Sequence, residues 1–87
     1  MSEYKVNKGF DIEQIKNGVT LFDPEGLYVF TLNETGAFIF KKIKNHTPMI
    51  KIIKALEKKY SISNIEAERD VKSLLVKLVK NKIIRSV

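Results

Sequence analysis

Hydrophobic and polar positions alternate over the first third of the chain and recur at helical spacing over the rest. Residues 10–16 alternate only roughly, with Phe10 and Ile12 in phase and Ile15 out of it, which predicts a strand that bulges or ends early. Asn17-Gly18 follows, a strong hairpin signal, because a type I′ turn needs positive φ at both central residues. Residues 19–22 read as a second strand. Asp23-Pro24-Glu25-Gly26 then predicts a second turn, in which proline presets φ and Gly26 takes the left-handed position. Residues 27–32, rich in β-branched and aromatic side chains, read as a third strand. Two tight turns in succession predict an antiparallel meander with the third strand at an edge.

Asn33 is suited to cap a helix, after which Gly36, Ile39, Phe40 and Ile43 fall on one helical stripe. Asn45-His46 breaks that stripe. Thr47-Pro48 predicts a second helix, with threonine at the N-cap and proline in the first turn, and Met49, Ile52, Ile53, Leu56 and Tyr60 as its buried face. Ser63-Asn64-Ile65-Glu66 is a capping box opening a third helix that turns Ala67, Val71, Leu74, Leu75 and Leu78 inward. Asn81 reads as a left-handed stop. Residues 83–87 fit either a tail or a short added strand, and residues 1–9 a loosely attached start. The pattern is one α+β domain spanning residues 1–87: a three-stranded antiparallel sheet followed by three helices, winged helix-turn-helix-like.

Composition narrows this picture. Eighty-seven residues suit one core, and 44% hydrophobic content is enough to fold without disulfides, so intrinsic disorder is not expected. With no cysteine and one histidine, neither a thiolate site nor a transition-metal site is expected, and His46 reads as a loop residue. No nucleophile–base pair and no phosphate-cradling glycine loop stands out, so the chain is expected to be non-enzymatic and to carry no cofactor. The start lacks a signal-peptide pattern and no apolar run approaches ~18 residues, which predicts a cytoplasmic protein without a membrane partner. The net charge of +6 is uneven: three basic against six acidic residues up to Phe40, then thirteen against four. Such a basic half suits an acidic peptide, nucleic acid or a membrane surface, or is merely solvated.

The third strand is the informative element. Leu27 and Val29 share one face and Tyr28, Phe30 and Leu32 the other, with Thr31 its one polar residue. One face must meet the helices. The other face of an edge strand then stays exposed unless something covers it. Either the chain's own start, such as Tyr4 and Val6, folds back over it, or a partner peptide joins the edge as an added strand.

Residues 18–26, GVTLFDPEG, and 30–40, FTLNETGAFIF, together with Asp70-Val71, Leu74, Leu75, Leu78 and Ile83-Ile84, resemble the PqqD family from about Phe10 onward. Three positions depart from its pattern: Phe40 where tryptophan is common, Asn45-His46 in place of Asp/Asn-Gly, and Lys82 in place of glycine before the final apolar pair. The resemblance implies a RiPP recognition element, a standalone domain that binds the leader peptide of a ribosomally made precursor. Such a domain presents the leader to a modifying enzyme, often a radical S-adenosylmethionine enzyme or a leader protease. It further implies that the leader adds as an antiparallel strand along Leu27, Tyr28, Val29, Phe30, Thr31 and Leu32, against a wall formed by Asp70, Val71, Leu74, Lys77 and Leu78. Val71, Leu74 and Leu78 equally fit a core stripe, and Asp70 a favourable place near a helix N-terminus.

The alternative is a winged-helix nucleic-acid binder. Its recognition helix should show Arg, Asn or Gln at its N-terminal, groove-facing positions, whereas this one holds Asn64, Glu66, Glu68 and Asp70 with Arg69 alone, and acid at the tip repels phosphate, so no nucleic acid partner is expected. A monomer is expected, or a weak dimer that uses the same edge.

Overall fold

The computed structural model describes residues 4–23, 25–27 and 29–87. In chain order these form β1 (Tyr4–Val6), β2 (Asp11–Ile15), β3 (Gly18–Phe22), β4 (Val29–Asn33), α1 (Glu34–Lys44), α2 (Met49–Tyr60), α3 (Asn64–Lys80) and β5 (Ile84–Ser86). The fold is α+β, with β2, β3 and β4 in a three-stranded antiparallel sheet of that order.

The first hairpin differs in detail from its sequence signal. Ile15 pairs with Gly18, so the two connecting residues are Lys16 and Asn17, one position earlier than predicted. Neither has positive φ; Gly18 alone does, at 154°. The glycine is needed for space: a Cβ there would run into the Leu32 carbonyl oxygen of β4. The pairing from Asp11 to Ile15 is unbroken, so there is no bulge, and Ile15 is simply carried to the other face of the sheet.

Asp23 organises the second turn. Its carbonyl accepts the Gly26 N–H at 2.8 Å, its carboxylate accepts the Leu27 N–H at 3.0 Å, and Gly26 sits at φ 71° as predicted. Leu27 is therefore part of the turn, and the strand expected over residues 27–32 begins at Val29. Pro24 and Tyr28 lie outside the described residues.

Strand parity then fixes the faces. Val19, Leu21, Phe30 and Leu32 point to the helices, and α1 packs beneath β3 and β4. The core continues through Ile39, Phe40 and Ile43 of α1, Ile52 and Leu56 of α2, and Ala67, Val71, Leu75 and Leu78 of α3. Two of the predicted caps are present. Asn33 Oδ1 accepts the Gly36 N–H at 2.8 Å, and Ser63 Oγ accepts the Glu66 N–H at 3.1 Å. At α2 the cap position belongs to Pro48 and not Thr47: the proline carbonyl accepts from Lys51 and Ile52, while the Thr47 N–H is used by the Lys42 carbonyl.

The ends of α1 and α3 share one construction. After α1, His46 takes φ 60°, its N–H bonds Ile43 O, and Thr47 N–H bonds Lys42 O. After α3, Lys82 takes φ 59°, its N–H bonds Val79 O, and Ile83 N–H bonds Leu78 O. Both are Schellman ends, whose left-handed residue is usually glycine. The predicted stop at Asn81 is thus displaced by one, since Asn81 itself has φ −89°.

Residues 83–87 resolve as an added strand. β5 pairs antiparallel with β1, Tyr4 opposite Ser86 and Val6 opposite Ile84. Asn7 ties the two termini further: its N–H bonds Ile83 O at 2.8 Å, its Nδ2 bonds Lys82 O at 2.7 Å, and its Oδ1 accepts from Arg85 at 2.7 Å. From Tyr4 onward, the start is thus paired as a strand. Tyr4 and Val6 pack against a core in which Ile83 and Ile84 are buried, and that contact holds the segment.

Candidate peptide-binding edge

β4 ends the sheet. Among the described residues no strand pairs with its outer side, because β1 and β5 form a separate two-stranded sheet. The two ways of covering this strand weighed from sequence are thereby separated: Tyr4 and Val6 do fold back, but onto β5.

Which backbone groups face outward follows from the hairpin. Ile15 and Gly18 close a two-residue connection, and such a closing pair exchanges both backbone hydrogen bonds. Alternation along β3 then turns Val19 and Leu21 toward their β4 partners Leu32 and Phe30. Val29 and Thr31 are left with N–H and C=O directed away from the sheet. Their side chains lie on the solvent face, where Val29 is 57% exposed, and Leu27, in the turn two residues earlier, is 77% exposed. Phe22, opposite Val29, completes a small apolar patch on that face.

The predicted α3 residues divide into two sets. Val71 and Leu78 are wholly buried, so in this structure their side chains belong to the core and offer no surface to a peptide. Leu32 of β4 is likewise core, at 4% exposure. Asp70 and Lys77 are exposed and Leu74 is half-buried. At about 100° per residue, these three lie on one flank of the buried stripe. The opposite flank meets α2, through the Asn64 Nδ2 to Glu57 Oε2 bond of 2.9 Å and the hollow that Asn64 and Glu68 share with Met49 and Ile53. Asp70, Leu74 and Lys77 therefore face away from α2. The main packing partners of α3 are α2 and β5, and among the described residues no strand pairs with the outer side of β4.

The acidic start of α3 is partly engaged. Glu66 Oε1 accepts from the Ser63 hydroxyl at 3.3 Å, and Glu68 pairs with Lys72 at 3.2 Å. Among the described residues no group of three or more His, Cys, Asp or Glu side chains is arranged to hold a metal ion, and no helix is long and apolar enough to cross a membrane. Sequence reasoning missed a second concavity, a groove under β2 lined by Ile12, Phe38 and several lysines. Its walls are distant in sequence, and unpartnered lysines on separate elements were its one available signal.

A small helical domain with a three-stranded sheet, whose two edge strands β2 and β4 have no further strand partner among the described residues, is the class this geometry defines. The chain belongs to the PqqD family: the family model described as coenzyme PQQ synthesis protein D matches residues 18–84. That match starts at Gly18, later than the resemblance from about Phe10. No curated protein matches the chain. Two solved structures share its fold. One is described as TbiB1 in complex with the TbiA(beta) leader peptide, with a TM-score of 0.86 at 20% identity, covering 95% of this chain and 96% of that one. The other is a lasso peptide synthetase B1 complexed with the leader peptide, with a TM-score of 0.87 at 23% identity, covering 97% and 99%.

Proposed function

We propose that this chain is a RiPP recognition element that binds the leader of a ribosomally made precursor and presents it to a modifying enzyme. The observation that carries the reading is the open outer side of β4, left free because the chain's own first strand is spent on β5. Family membership and the leader-bound state of both structural neighbours support it.

The leader lies antiparallel beside β4 and bonds the outward N–H and C=O of Val29 and Thr31. Specificity comes from side chains, which alternate between the two faces of an added strand. One set meets the flank of α3 at Asp70, Leu74 and Lys77; the other meets the apolar patch of Leu27, Val29 and Phe22. Val71 and Leu78 act from behind, holding Leu74 and the helix in place. The role is binding and not catalysis, since the edge offers backbone groups and apolar surface. The excess of lysine favours leaders rich in Asp and Glu. The modifying enzyme is a radical S-adenosylmethionine enzyme or a leader protease.

The test is a titration of isotope-labelled protein with a synthetic leader of the precursor encoded beside this chain's gene, followed by amide NMR. Shifts should concentrate at residues 29–33 and 70–77. Shifts confined to the α3 N-terminus on adding duplex DNA, with none from the leader, would overturn the reading in favour of nucleic-acid binding.

A further inference from the structure

The edge of the sheet opposite β4 carries a feature that leader binding does not use. Between β2 and α1 runs a groove of about 380 Å³. Its apolar lining comes from Ile12 and Ile15 of β2, Val19 of β3, and Ala37, Phe38 and Phe40 of α1. Around it stand four lysines from three separate parts of the fold: Lys16 in the hairpin turn, Lys41 and Lys44 at the end of α1, and Lys59 near the end of α2. Glu34 is the one carboxylate among the lining residues. None of the four lysines has an ion-pair partner among the described residues, where the recorded ion pair is Lys72–Glu68. Lys59 lies 5.1 Å from the Phe38 ring centre, and Lys42 approaches the same ring at 5.4 Å.

Four ammonium groups converging on an apolar trough repel one another and focus a positive field. Of the four, Lys59 has a ring partner in Phe38, while Lys16, Lys41 and Lys44 are exposed to solvent. The complementary ligand has an apolar stripe flanked by carboxylates. An amphipathic helix with Leu-type residues at i, i+3, i+4 and i+7 and Asp or Glu beside them has that form.

We infer that this groove is a second docking site, which takes an acidic amphipathic helix of another protein while the leader occupies β4. The inference rests on the leader-binding reading for the identity of that protein, the modifying enzyme, but not for the groove itself. Because β2 and β4 are opposite edges of one sheet, both partners fit at once. The domain then bridges enzyme and substrate instead of merely sequestering the leader.

The experiment uses a synthetic helix with Leu at the stripe positions and Glu elsewhere, and a twin with Lys in place of Glu. Binding is followed by amide NMR and fluorescence anisotropy near physiological salt, where the Debye length is about 8 Å and the far edge is screened. The Glu peptide should shift residues 12–19 and 34–44, and the Lys twin should not bind. The double variant Lys41→Glu/Lys44→Glu, both exposed positions, should lose tenfold or more in affinity for the Glu peptide yet keep leader affinity within threefold. Circular dichroism verifies its fold, and Lys44→Gln should give an intermediate loss. Unchanged affinity in the double variant, shifts mapping to β4, or displacement of the Glu peptide by the leader would each overturn the inference. Absence of leader binding with the groove result intact would instead count against the leader reading alone.

Discussion

A proline at Thr31 tests the edge mechanism most directly. Thr31 sits opposite Thr20 in the register, and alternation directs its N–H away from β3, so proline there removes no bond within the sheet. Phe30 before it is already extended, as a residue preceding proline prefers. The folded protein should therefore tolerate Thr31→Pro with little loss of cooperativity on melting. A leader bonded along Val29 and Thr31 gains about four backbone hydrogen bonds, two from each outward-facing residue. Loss of the Thr31 donor leaves a leader carbonyl desolvated and unpaired, at a cost of about 1–3 kcal/mol. That corresponds to roughly 5- to 150-fold in Kd. The pyrrolidine ring also occupies space the leader strand needs. Thr31→Ala, which keeps the donor and trims a side chain on the solvent face, should change Kd less than about threefold, being well under 1 kcal/mol. Isothermal titration on both variants, with melting curves alongside, gives the comparison. Equal Kd for wild type and a folded Thr31→Pro protein would refute strand addition at β4.

Three further outcomes are expected. Lys82→Gly and His46→Gly each relieve a left-handed non-glycine residue and should stabilise the fold by about 0.5–1 kcal/mol, the unfolded-state entropy of glycine offsetting part of the gain; thermal melts that fall instead would contradict the Schellman assignment. Gly18→Ala should destabilise strongly, because its methyl group meets the backbone oxygen of Leu32, and no side-chain adjustment relieves that clash; an unchanged denaturant midpoint would show that the β3–β4 register is wrong. Leader association should slow as salt rises from low to moderate concentration if the lysine excess steers an acidic peptide, and stopped-flow rates indifferent to salt would remove the electrostatic part of the reading.

Much of this protein was legible in its sequence, for local reasons. Asn33 and Ser63 place their side chains on the first free N–H groups of the following helices, an effect acting within three residues, so α1 and α3 could be placed from pattern alone. Alternation in residues 29–32 sorted the side chains into two faces, and burial in the structure selected Phe30 and Leu32 as the pair that meets the helices. Where a feature depended on something far away in the chain, the pattern failed. Gly18 looked like a turn residue, yet its requirement comes from β4, fourteen residues on. Asn81 looked like a stop, while the left-handed position fell on Lys82, where burial of Ile83 against α3 selects it. Val71 and Leu78 suited both a core and a cleft, and packing assigned them to the core.

The sequence by itself determined the order of the three central strands and three helices, the caps of α1 and α3 and the amphipathic helix faces, since each is settled by neighbours within a few bonds or one helical turn. Tertiary structure alone decided that residues 4–6 pair with residues 84–86 and so, among the described residues, leave the outer side of β4 without a strand, and that lysines from the hairpin, α1 and α2 line one groove. Both are meetings of segments far apart along the chain. Short segments carry too little pattern to announce their partners, and the partner is chosen by whichever apolar surface remains unburied once the rest of the core has closed.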